Sequence, residues 1–150
     1  MRAARLIASG FGAGFLPRAP GTWGSLVALA VGAGLMLASP LALPLAVLAA
    51  TFGGIWAIRA AGVAGDPGWV VVDEFAGQFA ALLGLAAPTG RGLLAAFLLF
   101  RLLDIAKPGP VGWADRQPGA VGIMADDVIA GAIVGGILWA IRGRWPGALG

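Results

Sequence analysis

The sequence predicts an all-α protein: a compact, membrane-embedded bundle of about five short helices behind a glycine-rich N-terminal segment. Three observations predict it. Of the 150 residues, 59% are hydrophobic and 11% charged, against roughly 25% charged residues in a soluble domain, and mean hydropathy is +0.91. The apolar residues fall in runs too long for ordinary strands, and none shows the alternation of a half-buried strand. Between the runs stand prolines and glycines, which end helices.

The N-terminal stretch R-A-A-R-L-I-A-S-G-F-G-A-G-F-L places Arg2 and Arg5 ahead of a short apolar region, as a signal peptide does. Gly10, Gly12 and Gly14 interrupt that region, Pro17, Arg18 and Pro20 follow, and no small-x-small cleavage site precedes more hydrophobic sequence. The stretch is therefore read as a mature glycine-rich loop or interfacial segment. Helices are predicted over 26–38, 44–58, 69–87, 93–106 and 127–141. Ser39-Pro40 and Pro44 break the first two into a hairpin, Pro88-Thr89-Gly90 separates the third from the fourth, and Lys107-Pro108-Gly109-Pro110 ends the fourth. About 15 residues at roughly 1.5 Å each reach about 22 Å, less than the roughly 30 Å of a bilayer core. Some of these helices are thus expected to be lengthened at their ends, to thin the membrane, or not to span it. No domain boundary or repeat interrupts the chain, so residues 1–150 form one domain.

Composition limits the chemistry. Cysteine, tyrosine and histidine are absent, which removes disulfides, thiolate nucleophiles, soft metal sites and imidazole acid–base catalysis. What remains is seven carboxylates (Asp66, Asp73, Glu74, Asp104, Asp115, Asp126, Asp127), Lys107 and the arginines. The net charge of +3 and pI near 11.1 do not imply nucleic acid, because the cations are spread through an apolar chain and make no basic face. An anionic membrane surface suits them better. If residues 1–25 are cytoplasmic, alternation of the helices puts every carboxylate near a cytoplasmic helix end, although Arg142 and Arg144 then fall outside, against the positive-inside rule.

The acids recur at three helix ends. Asp73 and Glu74 open the third helix, with Gly77 and Gln78 four residues beyond on the same stripes. Arg101 and Asp104 lie three apart on the fourth, with Lys107 at its end, and Asp126-Asp127 stand where the fifth is predicted to begin. Each has a bland reading: a dipole partner, an i,i+3 ion pair, or, for Asp126, Thr22 and Ser25, an N-cap. Their recurrence in a chain that otherwise avoids charge favours a site, since intramembrane ionisable groups carry function by default. Carboxylates without imidazole or thiolate select a hard cation, magnesium before calcium. Asp73, Glu74, Asp126 and Asp127 are the candidate metal ligands. Arg101, Lys107 and Arg18 suit phosphate oxygens, and Thr22, Ser25 and the free N–H groups of P-R-A-P-G-T-W-G-S-L suit an anion at a helix start. Gly131-A-I-V-Gly135 reads as close helix packing.

With these residues in view, the sequence resembles the phosphatidylglycerophosphatase A family. The matching blocks are G-F-L-P-R-A-P-G-T-W-G-S at 14–25, D-P-G-W-V-V-V-D-E-F-A-G-Q at 66–78, R-L-L-D-I-A-K-P-G-P at 101–110 and G-I-M-A-D-D-V-I-A-G at 122–131. The chain departs from relatives at Gly109, where an aromatic is common, and at Ala125, where a larger residue is. The resemblance implies an all-helical, magnesium-dependent phosphatase that converts phosphatidylglycerophosphate to phosphatidylglycerol at the cytoplasmic side of a bacterial inner membrane. Its motif acids fall on Asp66, Asp73, Glu74, Asp104, Asp126 and Asp127, its motif cations on Arg101 and Lys107. In the mechanism expected here, Asp73, Glu74, Asp104 and Asp127 are catalytic, with Asp104 positioning Lys107 or adding a ligand, and water is the nucleophile in preference to an aspartate. The rival classes are a small transporter or channel subunit using embedded carboxylates for ions or protons, and a purely structural membrane protein. No oligomeric partner is indicated.

Overall fold

A computed structural model describes residues 2–150 and, among them, seven α-helices and no strand. They are α1 (Arg2–Ala8), α2 (Pro20–Ala38), α3 (Ala42–Ala60), α4 (Val72–Leu82), α5 (Gly90–Ala106), α6 (Pro110–Asp115) and α7 (Gly119–Arg144), with a 3₁₀ turn at Ala13–Phe15. The all-helical class agrees with the sequence; the count of about five does not. Two short helices are added. In α1, R-A-A-R-L-I-A contains only helix-tolerant residues, and the glycine-rich turn begins after it, where Gly10 and Gly12 take left-handed backbone. In α6, Pro110 occupies the first turn, where its missing N–H costs nothing.

Helix starts account for most of the other differences. Pro20 opens α2 six residues before the predicted 26, behind Ala19 in left-handed conformation. Gly119 opens α7 eight residues before the predicted 127, behind Pro118, because G-A-V-G-I-M-A is small, apolar and able to coil. Asp126 and Asp127 consequently lie about two turns inside α7 and cap nothing. Helix α4 is shorter than the predicted 69–87, for Val71 N–H bonds the carbonyl of Ala8 and holds the preceding residues as a loop against α1. That junction is reinforced by Phe15 stacked on Trp69, with Arg5 over both rings.

Helix α4 is the centre of the molecule. Every residue of it is buried except Glu74, whose side chain is nearly so at 12% exposure, with α2, α3, α5 and α7 packed around it. The outer helices turn apolar residues outward instead: Leu41, Leu45, Leu48, Phe52 and Trp56 along α3, and Leu94, Leu98, Leu102 and Ile105 along α5, are each more than half exposed. Stripes of this extent are a membrane or partner surface. Helices α2, α3 and α7 are long and apolar enough to cross a membrane; at about 28, 28 and 39 Å they match or exceed a core of roughly 30 Å. Helix α4, about 16 Å long, cannot span and is shielded by those that can.

Candidate active site

The up-and-down course of α2 to α5 brings the starts of α2 and α4 and the ends of α3 and α5 to one end of the bundle, beside the third turn of α7. A cavity of about 320 Å³ opens there, lined by Asp66, Asp73, Glu74, Arg101, Asp104, Lys107, Asp126 and Asp127 together with Pro20 and Gly21. The seventh carboxylate, Asp115, bonds Lys107, so all the acids of the chain meet at this end.

Small residues make the convergence possible. On α7, Asp127, Gly131 and Gly135 recur every four residues and share a face. A methyl group on Gly131 would stand 2.7 Å from the carbonyl carbon of Gly77, and one on Gly135 would stand 2.8 Å from the carbonyl oxygen of Ala80. The bare backbones of α4 and α7 therefore touch, and one turn above that contact Asp127 meets Asp73 and Glu74. On the opposite wall a methyl group at Gly21 would overlap a Glu74 carboxylate oxygen. The motif containing Gly21 is visible in the sequence, but nothing in its spacing reveals this role.

Asp73, Glu74 and Asp127 form an acidic cluster in which one carboxylate oxygen from each lies within 4.8 Å of the others. Asp73 Oδ1, Glu74 Oε2 and Asp127 Oδ2 are buried and have no hydrogen-bond partner among the described residues. Three buried carboxylates with orphaned oxygens repel one another, and an ion pair or a metal is the usual compensation. The 4.8 Å bound compares with a span of about 4 Å between opposite ligands of a cation held at roughly 2.0–2.1 Å. The donor set, all oxygen, fits a hard cation.

The fourth predicted ligand, Asp126, stands apart from the trio. Its Oδ2 accepts from Lys107 Nζ at 2.7 Å and its Oδ1 from the Asp127 N–H at 3.0 Å. Lys107 ends α5 in left-handed backbone, which swings its ammonium toward α6 and α7 to bridge Asp115 and Asp126. Partial burial opposes its charge, but these two carboxylates outweigh that and hold its pKa well above the ordinary lysine value. Burial pushes the Asp66 carboxyl up, against the nearby Lys107 charge. Arg101 bonds Asp104 and lies 4.0 Å from Glu74 Oε1. Asp104 thus partners Arg101, one turn away on the same helix, as the i,i+3 reading predicts, and does not position Lys107.

Three predicted anion-binding residues are not in this cavity. Ser25 is fully buried, and its hydroxyl donates to the carbonyl of Gly21 at 2.9 Å. Arg18 and Thr22 line a separate groove on the far side of the first turn of α2, and neither Thr22 nor Ser25 caps a helix, since Ala19 occupies that position. Gln78, one turn below Glu74, is fully buried with both amide atoms unpartnered among the described residues.

The family model of phosphatidylglycerophosphatase A matches residues 6–142. The chain belongs to the phosphatidylglycerophosphatase A family. A phosphatidylglycerophosphatase A of Escherichia coli (strain K12) is 40% identical over 147 residues, covering 94% of this chain and 84% of that protein. One from Haemophilus influenzae is 37% identical over 91% of this chain and 87% of its own length. A putative phosphatidylinositol-3-phosphatase of Bacteroides thetaiotaomicron is 42% identical, over 93% and 92%. No solved structure matches the chain. The family match takes in all the carboxylates and both cations of the cavity.

Proposed function

We propose that this member of the phosphatidylglycerophosphatase A family carries out the family's reaction: hydrolysis of the terminal phosphate monoester of phosphatidylglycerophosphate to phosphatidylglycerol, with Mg²⁺ held by Asp73, Glu74 and Asp127. That the chain is a phosphatase follows from its family. The observation that carries the site assignment is the cluster of three buried carboxylates with unpartnered oxygens beside the chain's two site cations. When bound, Mg²⁺ supplies positive charge for the phosphate and lowers the pKa of a coordinated water.

The residues divide the remaining work. Asp126 and Asp104 act as holders, of Lys107 and Arg101 respectively. A lysine ammonium has three protons; Asp115 and Asp126 take two, leaving one for a phosphate oxygen. Arg101 likewise keeps free N–H groups of its five after bonding Asp104. Both cations are thus aimed and still able to stabilise charge on the equatorial oxygens in the transition state. With Asp126 occupied by Lys107, its proposed metal role is indirect.

The bundle is read as multi-pass in a bacterial inner membrane, its site facing the cytoplasm. Arg2, Arg5, Arg18, Arg59, Lys107 and Arg116 flank the site end, and Arg91, Arg142 and Arg144 the other, which satisfies the positive-inside rule by excess. A transporter would need polar groups across the bundle. Below Gln78 the α4–α7 interface is Ala80, Ala81, Leu82, Val134 and Leu138, which carries no ion.

The deciding assay is phosphate release by protein purified in detergent, from phosphatidylglycerophosphate with and without Mg²⁺. The wild type should turn over only with Mg²⁺, and Asp73→Asn and Asp127→Asn should lose activity. Normal turnover in both variants would remove the metal assignment; a wild type that releases no phosphate would remove the reaction.

A further inference from the structure

Phosphatidylglycerophosphate carries two phosphates, the monoester that leaves and an inner phosphodiester that joins the headgroup to diacylglycerol. The acid cavity has groups for the first alone. On the other side of α2's first turn lies a groove of about 620 Å³ lined by Pro17, Arg18, Ala19, Thr22, Trp23 and Leu26. We propose that Arg18 in this groove binds the inner phosphodiester and that the apolar wall seats the ester end of the acyl chains; the inference rests on the reaction proposed above.

Three observations carry it. The first is proximity. Residues 19, 22, 23 and 26 share one face of α2, and Gly21, on the adjoining face, abuts Glu74. The wall between groove and cavity is a single helical turn, thinned on its inner side to a glycine and a proline. Ala19 of the groove is followed directly by Pro20 of the cavity, so the two meet at the start of α2, where the substrate's three-carbon glycerol would join its two phosphates.

The second is charge. Arg18 is exposed and has no ion-pair or aromatic partner among the described residues. The Thr22 hydroxyl, half-buried beside it, likewise makes no hydrogen bond among the described residues. A guanidinium with an adjacent hydroxyl in an otherwise apolar wall complements one phosphodiester anion carrying hydrocarbon. The third is continuity with the lipid face. From the groove the exposed apolar surface of α2 continues through Trp23, Leu26, Val27 and Val31, along a helix long enough to span. Acyl chains leaving the groove pass directly into lipid.

The product separates the two anion seats, because phosphatidylglycerol keeps the diester and has lost the monoester, whereas inorganic phosphate resembles the monoester alone. In detergent, Arg18→Gln should raise KM for short-chain phosphatidylglycerophosphate and Ki for dihexanoyl phosphatidylglycerol by the same factor, about tenfold for one charge-assisted contact. Its kcat and its Ki for inorganic phosphate should stay near the wild-type values, and Arg18→Lys should recover part of the loss. A parallel rise in the phosphate Ki would overturn the proposal by putting Arg18 in the monoester site. An unchanged phosphatidylglycerol Ki would overturn it by leaving Arg18 a plain surface cation. Trp23→Ala tests the apolar wall independently: it should weaken dihexanoyl phosphatidylglycerol and spare deacylated glycerophosphoglycerol, and equal weakening of both refutes the wall. If the wild type proves not to be a phosphatase, direct binding of phosphatidylglycerol to wild type and Arg18→Gln still decides the groove.

Discussion

Asp127→Asn should make the protein more stable without metal and less responsive to it. Three carboxylates with oxygens within 4.8 Å of one another repel by about 3 kcal/mol per pair at that limit and an effective dielectric near 20. The substitution removes two of the three pairs and keeps the shape, and its new amide can donate to an orphaned oxygen of Asp73 or Glu74. Protonation and stray cations relieve part of the repulsion in the wild type, so a net gain of about 1–3 kcal/mol is expected in EDTA, or about 2–4 °C of melting temperature per kcal/mol at this size. With Mg²⁺ at a hundred times its Kd the wild type gains about 2.7 kcal/mol, and the variant should gain little. The variant's advantage in melting curves taken in detergent with EDTA should therefore shrink by about 2.7 kcal/mol when MgCl₂ replaces EDTA. A variant that melts below the wild type in EDTA and still shifts normally with Mg²⁺ would show that the trio is not where the cation sits.

Gly131→Ala forces α7 away from the Gly77 carbonyl and should cost about 1–3 kcal/mol by overpacking; denaturant titration reads the stability, and a weakened Mg²⁺ midpoint reads the displacement of Asp127. Gln78→Leu replaces a buried, unpartnered amide by an apolar group of similar size and should raise stability by about 1–3 kcal/mol while lowering kcat, since Gln78 stands one turn below Glu74; a fall in melting temperature would show that the amide makes bonds the fold needs. Lys107→Met strands the buried Asp126 charge and should cost about 2 kcal/mol or more, below the 3–5 kcal/mol of a fully buried pair because the lysine is 30% exposed. Adding Asp126→Asn should restore much of that stability but not activity, a coupling that a double-mutant cycle measures.

The helical class, the central polar stripe of Asp73, Glu74, Gly77 and Gln78, and the packing role of Gly131 and Gly135 were legible in the sequence, because each rests on local spacing. Helix starts were not. Hydropathy marks where apolar residues are dense, and Pro20-Gly21 or Gly119-Ala120 coil without being dense, so α2 and α7 begin earlier than the pattern suggests. The same error made Asp126 look like a cap. The division of labour between Asp126 and Asp127 was also hidden: adjacent helical residues point about 100° apart, and only the packing of α7 against α4 and Lys107 shows which one joins Asp73 and Glu74. The left-handed turn at Lys107 that aims its ammonium has no sequence signal beyond the proline after it. A guanidinium suits phosphate wherever it stands, so the sequence groups Arg18 with Arg101 and Lys107, whereas the fold places it in a separate groove at the start of α2.

The wall between groove and cavity bears on the order of binding. Six carboxylates and two cations line the acid cavity, and both cations are already bonded to acids, so a phosphate monoester approaching the metal-free site meets an excess of negative charge in a partly buried setting, where screening is weak. Arg18 lies outside that field, in a groove whose walls are otherwise apolar. The lipid can therefore be held by its diester and chains whether or not the acid site is loaded, while the monoester enters only once a cation has neutralised the trio. Phosphatidylglycerol affinity should accordingly be nearly independent of Mg²⁺, and inorganic phosphate affinity should collapse in EDTA. Calorimetric titration of each ligand with and without the metal measures both. Phosphate binding that survives EDTA would mean that Arg101 and Lys107 outweigh the acids, and the carboxylates would then have to serve something other than a cation.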